Sequence, residues 1–365
     1  MGKSFWGTLL LIFGLGAYPA VEARAQFSGD ISDFDFSFFQ FGNPLIDYVD
    51  KLANQRVRTR LNIEQWQKSV PSEARSCRAL YDDIFKDGVM RVTFVFGYHD
   101  ASGRTLDGRF YQYTFDALTR RCPNSSSPVC GYRVISGSRS SYTAVLSRPV
   151  QLRAANGTNR LVEIRIQLAR SSHSSDDERN LVRGEPSEKQ RELTRHMEDL
   201  FFGGISGFNA DGSPREKCEI CAYFGHARDG GGPDFGPVPY AWRKADGKPN
   251  YDLYQARRPG YRKLIASLKR AQNDPPKLVA LQACYSHLHF WSRKTEGKSL
   301  SDFADKTGFL LTRQLSWPQN FQQTVGVFLD TVLGLRCKSA WDMNNSRLHK
   351  LPEPNEAYDI FGRFF

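Results

Sequence analysis

Apolar positions along this chain change their spacing several times, and each change predicts a different kind of element. Lys3 precedes an apolar run from Trp6 to Tyr18, and a phenylalanine-rich stretch occupies 33–41. From Leu45 to Phe85 the period is helical: Leu45, Tyr48, Val49 and Leu52 share one face, and Leu61, Ile63 and Trp66 another. Ser72 is a candidate cap for a third helix that runs to Ile84 and ends before Gly88. The signal then turns to strands. Val89–Tyr98 and Arg109–Phe115 are β-branched and aromatic runs joined by a turn-rich segment at 99–103, and Tyr132–Ile135 and Tyr142–Leu146 are shorter. Val150–Arg153 and Leu161–Leu168 flank Ala154-Ala155-Asn156-Gly157, a hairpin signal. Val162, Ile164, Ile166 and Leu168 alternate with Glu163, Arg165 and Gln167, so an antiparallel sheet with one wet face is expected here.

The second half reads as α/β. Polar residues at 171–186 mark a linker or surface loop, and Ser187–Phe202 has a helical pattern that buries Leu193, Met197, Leu200 and Phe201. A short apolar strand at 219–224 delivers a loop with three consecutive glycines, followed by a helix over Tyr261–Ala271. Pro275-Pro276 stops what precedes it, and five of the next seven residues are apolar without alternation, the pattern of a strand covered on both faces. Gly308–Thr312 predicts a further strand and Asn320–Leu335 a further helix. The layout expected is therefore a leader at 1–25, an aromatic arm and helical segment at 26–86, an antiparallel β-rich region at 87–170, the linker at 171–186, and an α/β domain with a mostly parallel sheet at 187–365.

The leader changes the setting. A positive start, an apolar run too short for a membrane span, and Ala23-Arg24-Ala25 before Gln26 are the features of a secretory signal peptide. The mature chain is expected to be exported to the periplasm or medium, with no stable membrane insertion because no later run approaches a spanning length. The net charge of +11 is scattered, so a solvated basic surface is expected. The densest basic run, Arg257-Arg258-Pro259-Gly260-Tyr261-Arg262-Lys263 beside Tyr251 and Tyr254, is read as a solvated helix face, and no nucleic-acid partner is expected of an exported chain.

Export also makes the seven cysteines informative, since an odd number leaves one thiol unpaired. Cys122 and Cys130 flank a short loop that a disulfide would close. Cys218 and Cys221 form a CxxC, but positions three apart on a strand face opposite ways, so these two are expected to bridge elsewhere, with Cys77 and Cys337 as candidates. Cys284 is left as the free thiol.

That thiol falls where the strand from Leu278 ends, and strand ends are where open α/β sheets hold their chemistry. The upstream strand ends at Gly225-His226, so an imidazole and a sulfur at two strand ends make a candidate thiolate–imidazole pair. Amides of the glycine-rich loop are candidates for oxyanion donors, with Gly225 and Ala227 beside His226, and Asp229 or Asp234 are candidates to orient the imidazole. An apolar strand ending in Gly225-His226, a helix, and an apolar strand ending in Gln282-Ala283-Cys284, with the cysteine 58 residues after the histidine, resemble the caspase–gingipain–legumain superfamily of cysteine peptidases. The resemblance covers about 187–340 and implies a caspase-like fold, His226 as general acid/base, Cys284 as nucleophile, and a protein or peptide substrate without a cofactor. Two departures from that pattern are Ala227 directly after the histidine and Tyr285-Ser286 after the cysteine.

Two other functions use the same residues differently. His287-Leu288-His289 would place both imidazoles on one side of a strand, and with His226 they are candidate zinc ligands for a metallohydrolase. A non-catalytic exported binding protein would instead use the β-rich region and the aromatic arm.

Overall fold

A computed structural model describes residues 42–54, 71–98, 106–123, 127–154, 156–173, 186–313, 321–338, 341–342, 358–362 and 364. The signal-peptide and aromatic-arm readings and the helix face at 61–66 lie outside these residues. All described residues belong to one compact unit, Asp35–Phe365.

The unit is built on a single eight-stranded sheet, and the elements follow the chain as α1 (44–54), α2 (Pro71–Ile84), β1 (Val89–Phe96), α3 (Leu106–Thr119), β2 (Arg133–Gly137), β3 (Thr143–Arg153), β4 (Asn159–Arg170), α4 (Glu188–Glu198), β5 (Ile220–Phe224), α5 (Tyr251–Arg257), α6 (Pro259–Arg270), β6 (Leu278–Gln282), α7 (Ser286–Phe290), β7 (Gly308–Thr312), α8 (Phe321–Leu333) and β8 (Tyr358–Gly362). Helix α4 continues through a π-helical turn, Asp199–Gly203, into a last turn at Gly204–Ser206.

Strand order is β2-β3-β4-β1-β5-β6-β7-β8. Neighbours from β4 to β7 run parallel, whereas β2–β3, β3–β4 and β7–β8 are antiparallel. This is an α/β fold with a mostly parallel sheet. The 87–170 segment is not a separate antiparallel region: its hairpin β3–β4 is antiparallel as expected, but β1 lies between β4 and β5 and runs parallel to both.

Every residue of β5, β6 and β7 is buried, which accounts for their unbroken apolar sequences. One face packs against α1, α2, α3 and α8 through Leu45, Tyr81, Phe110 and Phe328. The other packs against α4 and α6 through Met197, Phe201, Leu264 and Leu268. On β4, Val162, Ile164, Ile166 and Leu168 are buried while Glu163, Arg165 and Gln167 are half-buried, as the alternation predicts.

Three local expectations are corrected. The aromatic run 109–115 is helical, not a strand, because Asp107, Phe110, Tyr111, Thr114, Ala117 and Leu118 are buried at helical spacing. The runs around Pro149 form one strand, since that proline pairs with Glu163 and lies beyond Ala144–Ser147, the stretch of β3 that pairs with β2. The linker begins buried: Asp107 accepts from the amides of Ser171 (3.1 Å) and Ser172 (2.6 Å) and from the Ser172 hydroxyl (2.5 Å). Strand β8, Tyr-Asp-Ile-Phe-Gly, carries no strong pattern in the sequence and is set by its antiparallel pairing with β7.

Disulfides join Cys77–Cys337, Cys122–Cys130 and Cys218–Cys221, and Cys284 lies outside any disulfide. The Cys218–Cys221 bond overturns the alternation argument because Cys218 precedes the strand, which starts at Ile220. No helix among the described residues is long and apolar enough to cross a membrane.

Cys77–Cys337 closes a separation of 260 residues and anchors α2 to the segment after α8. Replacing both cysteines with serine is expected to cost roughly 3–5 kcal/mol, read as a lower denaturant midpoint, while the local Cys122–Cys130 bond is worth less because its loop is short.

Candidate active site

The carboxyl ends of the central strands form the candidate site. The chain leaving β1 leads to α3 on one face and the chain leaving β5 leads through α5 to α6 on the other, so the winding reverses between these two strands, the place where open α/β sheets hold their ligands. Strands β5 and β6 pair in parallel with Phe224 opposite Gln282, and the Gly225 amide donates to the Gln282 carbonyl at 3.2 Å. His226 lies two residues beyond Phe224, and Cys284 two residues beyond Gln282. Both thus follow neighbouring parallel strands at the same offset from the last paired residues, and each is half-buried.

Backbone strain sits in both loops. Arg228 (φ 48°), Asp229 (φ 50°) and Tyr285 (φ 49°) are non-glycine residues in the left-handed region, two of them just after His226 and one directly after Cys284. Such conformations cost about 1–2 kcal/mol each and persist only where their surroundings enforce them.

Those surroundings are specific. The Tyr223 hydroxyl bonds to the His226 carbonyl and the Asp234 carbonyl, and accepts from the Asp234 amide, each at 3.0 Å. Its ring needs Gly97 and Gly225 as neighbours, because a Cβ at either would come within 2.4 or 2.5 Å of it. Arg228 is buried and donates through Nε to Asp234 Oδ2 at 2.9 Å. Behind Cys284, the Ser286 hydroxyl bonds to the Leu281 carbonyl at 2.7 Å and accepts from the Thr312 amide at 2.8 Å, while the Thr312 hydroxyl donates to the Ala283 carbonyl. The turn that presents the thiol is thus tied to β6 and β7. Tyr223, Ser286 and Thr312 were not singled out from the sequence; the available signal was a polar group at or beside the end of a buried strand.

Several expected roles are not met. The amides of Gly230 and Gly232 donate to the Ala227 carbonyl (3.0 and 2.8 Å), and that of Gly231 to the Arg228 carbonyl (2.9 Å). They are spent within the loop rather than aimed at an oxyanion, and the Gly225 amide belongs to the sheet. Close packing explains the glycines instead, since a Cβ at Gly231 would lie 2.7 Å from the Tyr254 ring and one at Gly232 would lie 2.6 Å from the His226 carbonyl oxygen. Ala227 is buried behind the loop. The Asp234 carboxylate is engaged by Arg228, and Asp229 faces His289, with Oδ1 3.7 Å from Nε2.

The His287/His289 pair is not on a strand. Both belong to α7, where a two-residue step turns the side chain by about 200°, so His289 is buried while His287 is half-buried. Among the described residues no group of three His, Cys, Asp or Glu side chains could hold a metal ion. The 3.7 Å contact exceeds hydrogen-bond reach, and burial, reinforced by Arg293 and Arg258, pushes the His289 pKa down to about 4. Burial raises the Asp229 carboxyl, with Arg293 opposing it.

With this geometry in hand, comparison of the chain with family models, curated proteins and solved structures finds no match.

Because His289 has a folded pKa below its ordinary 6.5, its neutral form is favoured by folding. The associated stability is present above 6.5 and is lost as pH falls through 6.5 toward about 4. Urea titrations between these limits are expected to show stability declining toward acid, and His289→Gln to flatten that decline. A second substitution reads the loop directly: Tyr223→Phe, which leaves buried partners of the hydroxyl unbonded, should cost about 1–3 kcal/mol, measured as a lower midpoint of unfolding.

Proposed function

We propose that this chain is an exported cysteine peptidase in which Cys284 is the nucleophile and His226 the general acid/base. The observation that supports the reading is the β5–β6 register, in which Phe224 and Gln282 are the last paired residues and a histidine and a cysteine outside any disulfide each follow two residues later at the carboxyl edge of a parallel sheet. That arrangement also supports the resemblance to caspase-like peptidases, whose histidine and cysteine end adjacent parallel strands. Three disulfides agree with an oxidising compartment, periplasmic or extracellular, where a cysteine outside any disulfide stands out.

The chemistry follows from the two groups. A thiolate at Cys284, favoured by a neighbouring imidazolium, attacks the carbonyl carbon of a peptide bond. Collapse of the tetrahedral intermediate breaks the C–N bond, and His226 gives its proton to the departing amine. Water then attacks the thioester carbon while His226 takes up the water's proton, and collapse of the second tetrahedral intermediate breaks the C–S bond, releasing the acid and restoring the thiolate–imidazolium pair. No cofactor enters this sequence. The strained loops and their polar ties support the same reading, because a dyad needs its two members held in place before substrate arrives.

A peptidyl probe with a thiol-reactive head is expected to label the wild-type protein at Cys284, as located by peptide mass spectrometry. Cys284→Ala should abolish labelling with an unchanged circular-dichroism spectrum, and His226→Ala should slow it by about 100-fold. Labelling that survives Cys284→Ala would reject the thiol as nucleophile.

A further inference from the structure

The crossover between β5 and β6 contains a sharp elbow, and the elbow touches both loops of the proposed dyad. Arg258 (φ 47°) is at once the last cap of α5 and the first of α6, and Pro259 opens α6. The next two residues reach in opposite directions. On the histidine side, the Gly260 amide donates to the Gly231 carbonyl at 2.7 Å, and a Cβ on Gly260 would lie 2.0 Å from the Pro233 carbonyl oxygen. On the cysteine side, the Tyr261 hydroxyl bonds to the carbonyls of Phe290 (2.7 Å) and Arg293 (2.9 Å), and its ring packs on that of Phe290 at 5.1 Å between centroids. Arg258 adds a bond from Nη1 to the Lys294 carbonyl at 3.2 Å.

Phe290 is the last residue of α7, the short helix that starts directly after Cys284-Tyr285. Ser286 and Thr312 hold the beginning of that helix, and Tyr261 holds its end. Tyr261 is fully buried and lies nowhere in the sequence near either proposed catalytic residue. A hydroxyl has one proton, which the two carbonyls share, and a phenylalanine in its place would keep the ring contact and lose the hydroxyl's hydrogen bonds, that with the Leu300 backbone included.

We propose that Tyr261 is a positioning residue: its hydroxyl, together with the adjoining Gly260 amide, fixes the cysteine-bearing loop relative to the histidine-bearing loop and so sets the approach of His226 to Cys284. The role rests on the dyad proposed above. It predicts an electrostatic consequence that a purely structural residue would lack. If the imidazole is allowed to drift from the sulfur, the thiolate loses its nearby positive partner and its pKa rises.

The test is the pH dependence of alkylation of Cys284 by iodoacetamide in the full chain, which is clean because the other six cysteines are disulfide-bonded. Wild type is expected to show a midpoint below that of an ordinary cysteine. Tyr261→Phe should raise the midpoint by about one unit, equivalent to about tenfold less thiolate at pH below both midpoints. Arg258→Gln, which removes the second tie from the same elbow, should shift it the same way by less, and it carries the test if the tyrosine variant does not fold. Lys263→Gln breaks the exposed pair with Glu198 (2.6 Å) on the same helix and should leave the midpoint alone. A depressed wild-type midpoint that neither elbow variant moves would overturn the positioning role while the dyad stands. An ordinary cysteine midpoint in wild type would remove the dyad itself, and with it any role in positioning it.

Discussion

The parallel pairing of β5 with β6 is the constraint on which the rest of this molecule depends. Parallel neighbours cannot be joined by a tight turn, so a crossover must leave one strand, cross a face of the sheet and return. Here that crossover carries α5 and α6, and α6 supplies part of the cover that one face requires. The same geometry brings residues 58 positions apart to the ends of neighbouring strands. Burial of every residue in both strands then makes the register costly to change, because a one-residue slip would turn each side chain to the opposite face.

Beyond the last paired residues the ladder can no longer position anything, and the chain relies on side-chain hydrogen bonds and close backbone contacts. Three left-handed residues without glycine's freedom are held there. On one side the Tyr223 hydroxyl and the Arg228–Asp234 pair fasten the loop after His226. Arg228 is buried and Asp234 half-buried, so the pair fixes the arrangement of the loop more than it adds net stability. On the other side Ser286 and Thr312 fasten the turn after Cys284. The glycine run contributes in two ways: a methyl at Gly231 or Gly232 would collide with Tyr254 or with the His226 carbonyl, and Gly230 takes a positive φ of 89°.

The outer strands show the same division between sheet and anchors. β2, β3 and β4 extend the sheet past β1, and the exit from β4 is secured by Asp107 at the start of α3 and by Gln190 on α4, whose amide bonds the Ser171 carbonyl at 3.0 Å. Burial raises the Asp107 carboxyl to about 6 even with three donors around it. The disulfides act at longer range, with Cys77–Cys337 tying the helices of one layer across most of the chain.

By itself the sequence determined the elements whose periodicity is unambiguous: the continuous apolar strands β5, β6 and β7, the alternating strand β4, the helices around 193 and 265, and a single cysteine left over by parity. Those signals are local, because the period of burial within one element is written in that element's own side chains. It also pointed to His226 and Cys284, each placed by the end of an apolar run. Tertiary structure alone decided the rest. Residues 109–115 became a helix because their burial is set by the sheet beneath them, not by their β propensity. Cys218 paired with Cys221 because it lies two residues before the strand begins, where alternation does not apply. The glycine amides turned inward, Asp234 went to Arg228, and Tyr261 came to join two loops. Each of these depends on partners distant in the chain, and no local pattern records which distant group a given side chain will meet.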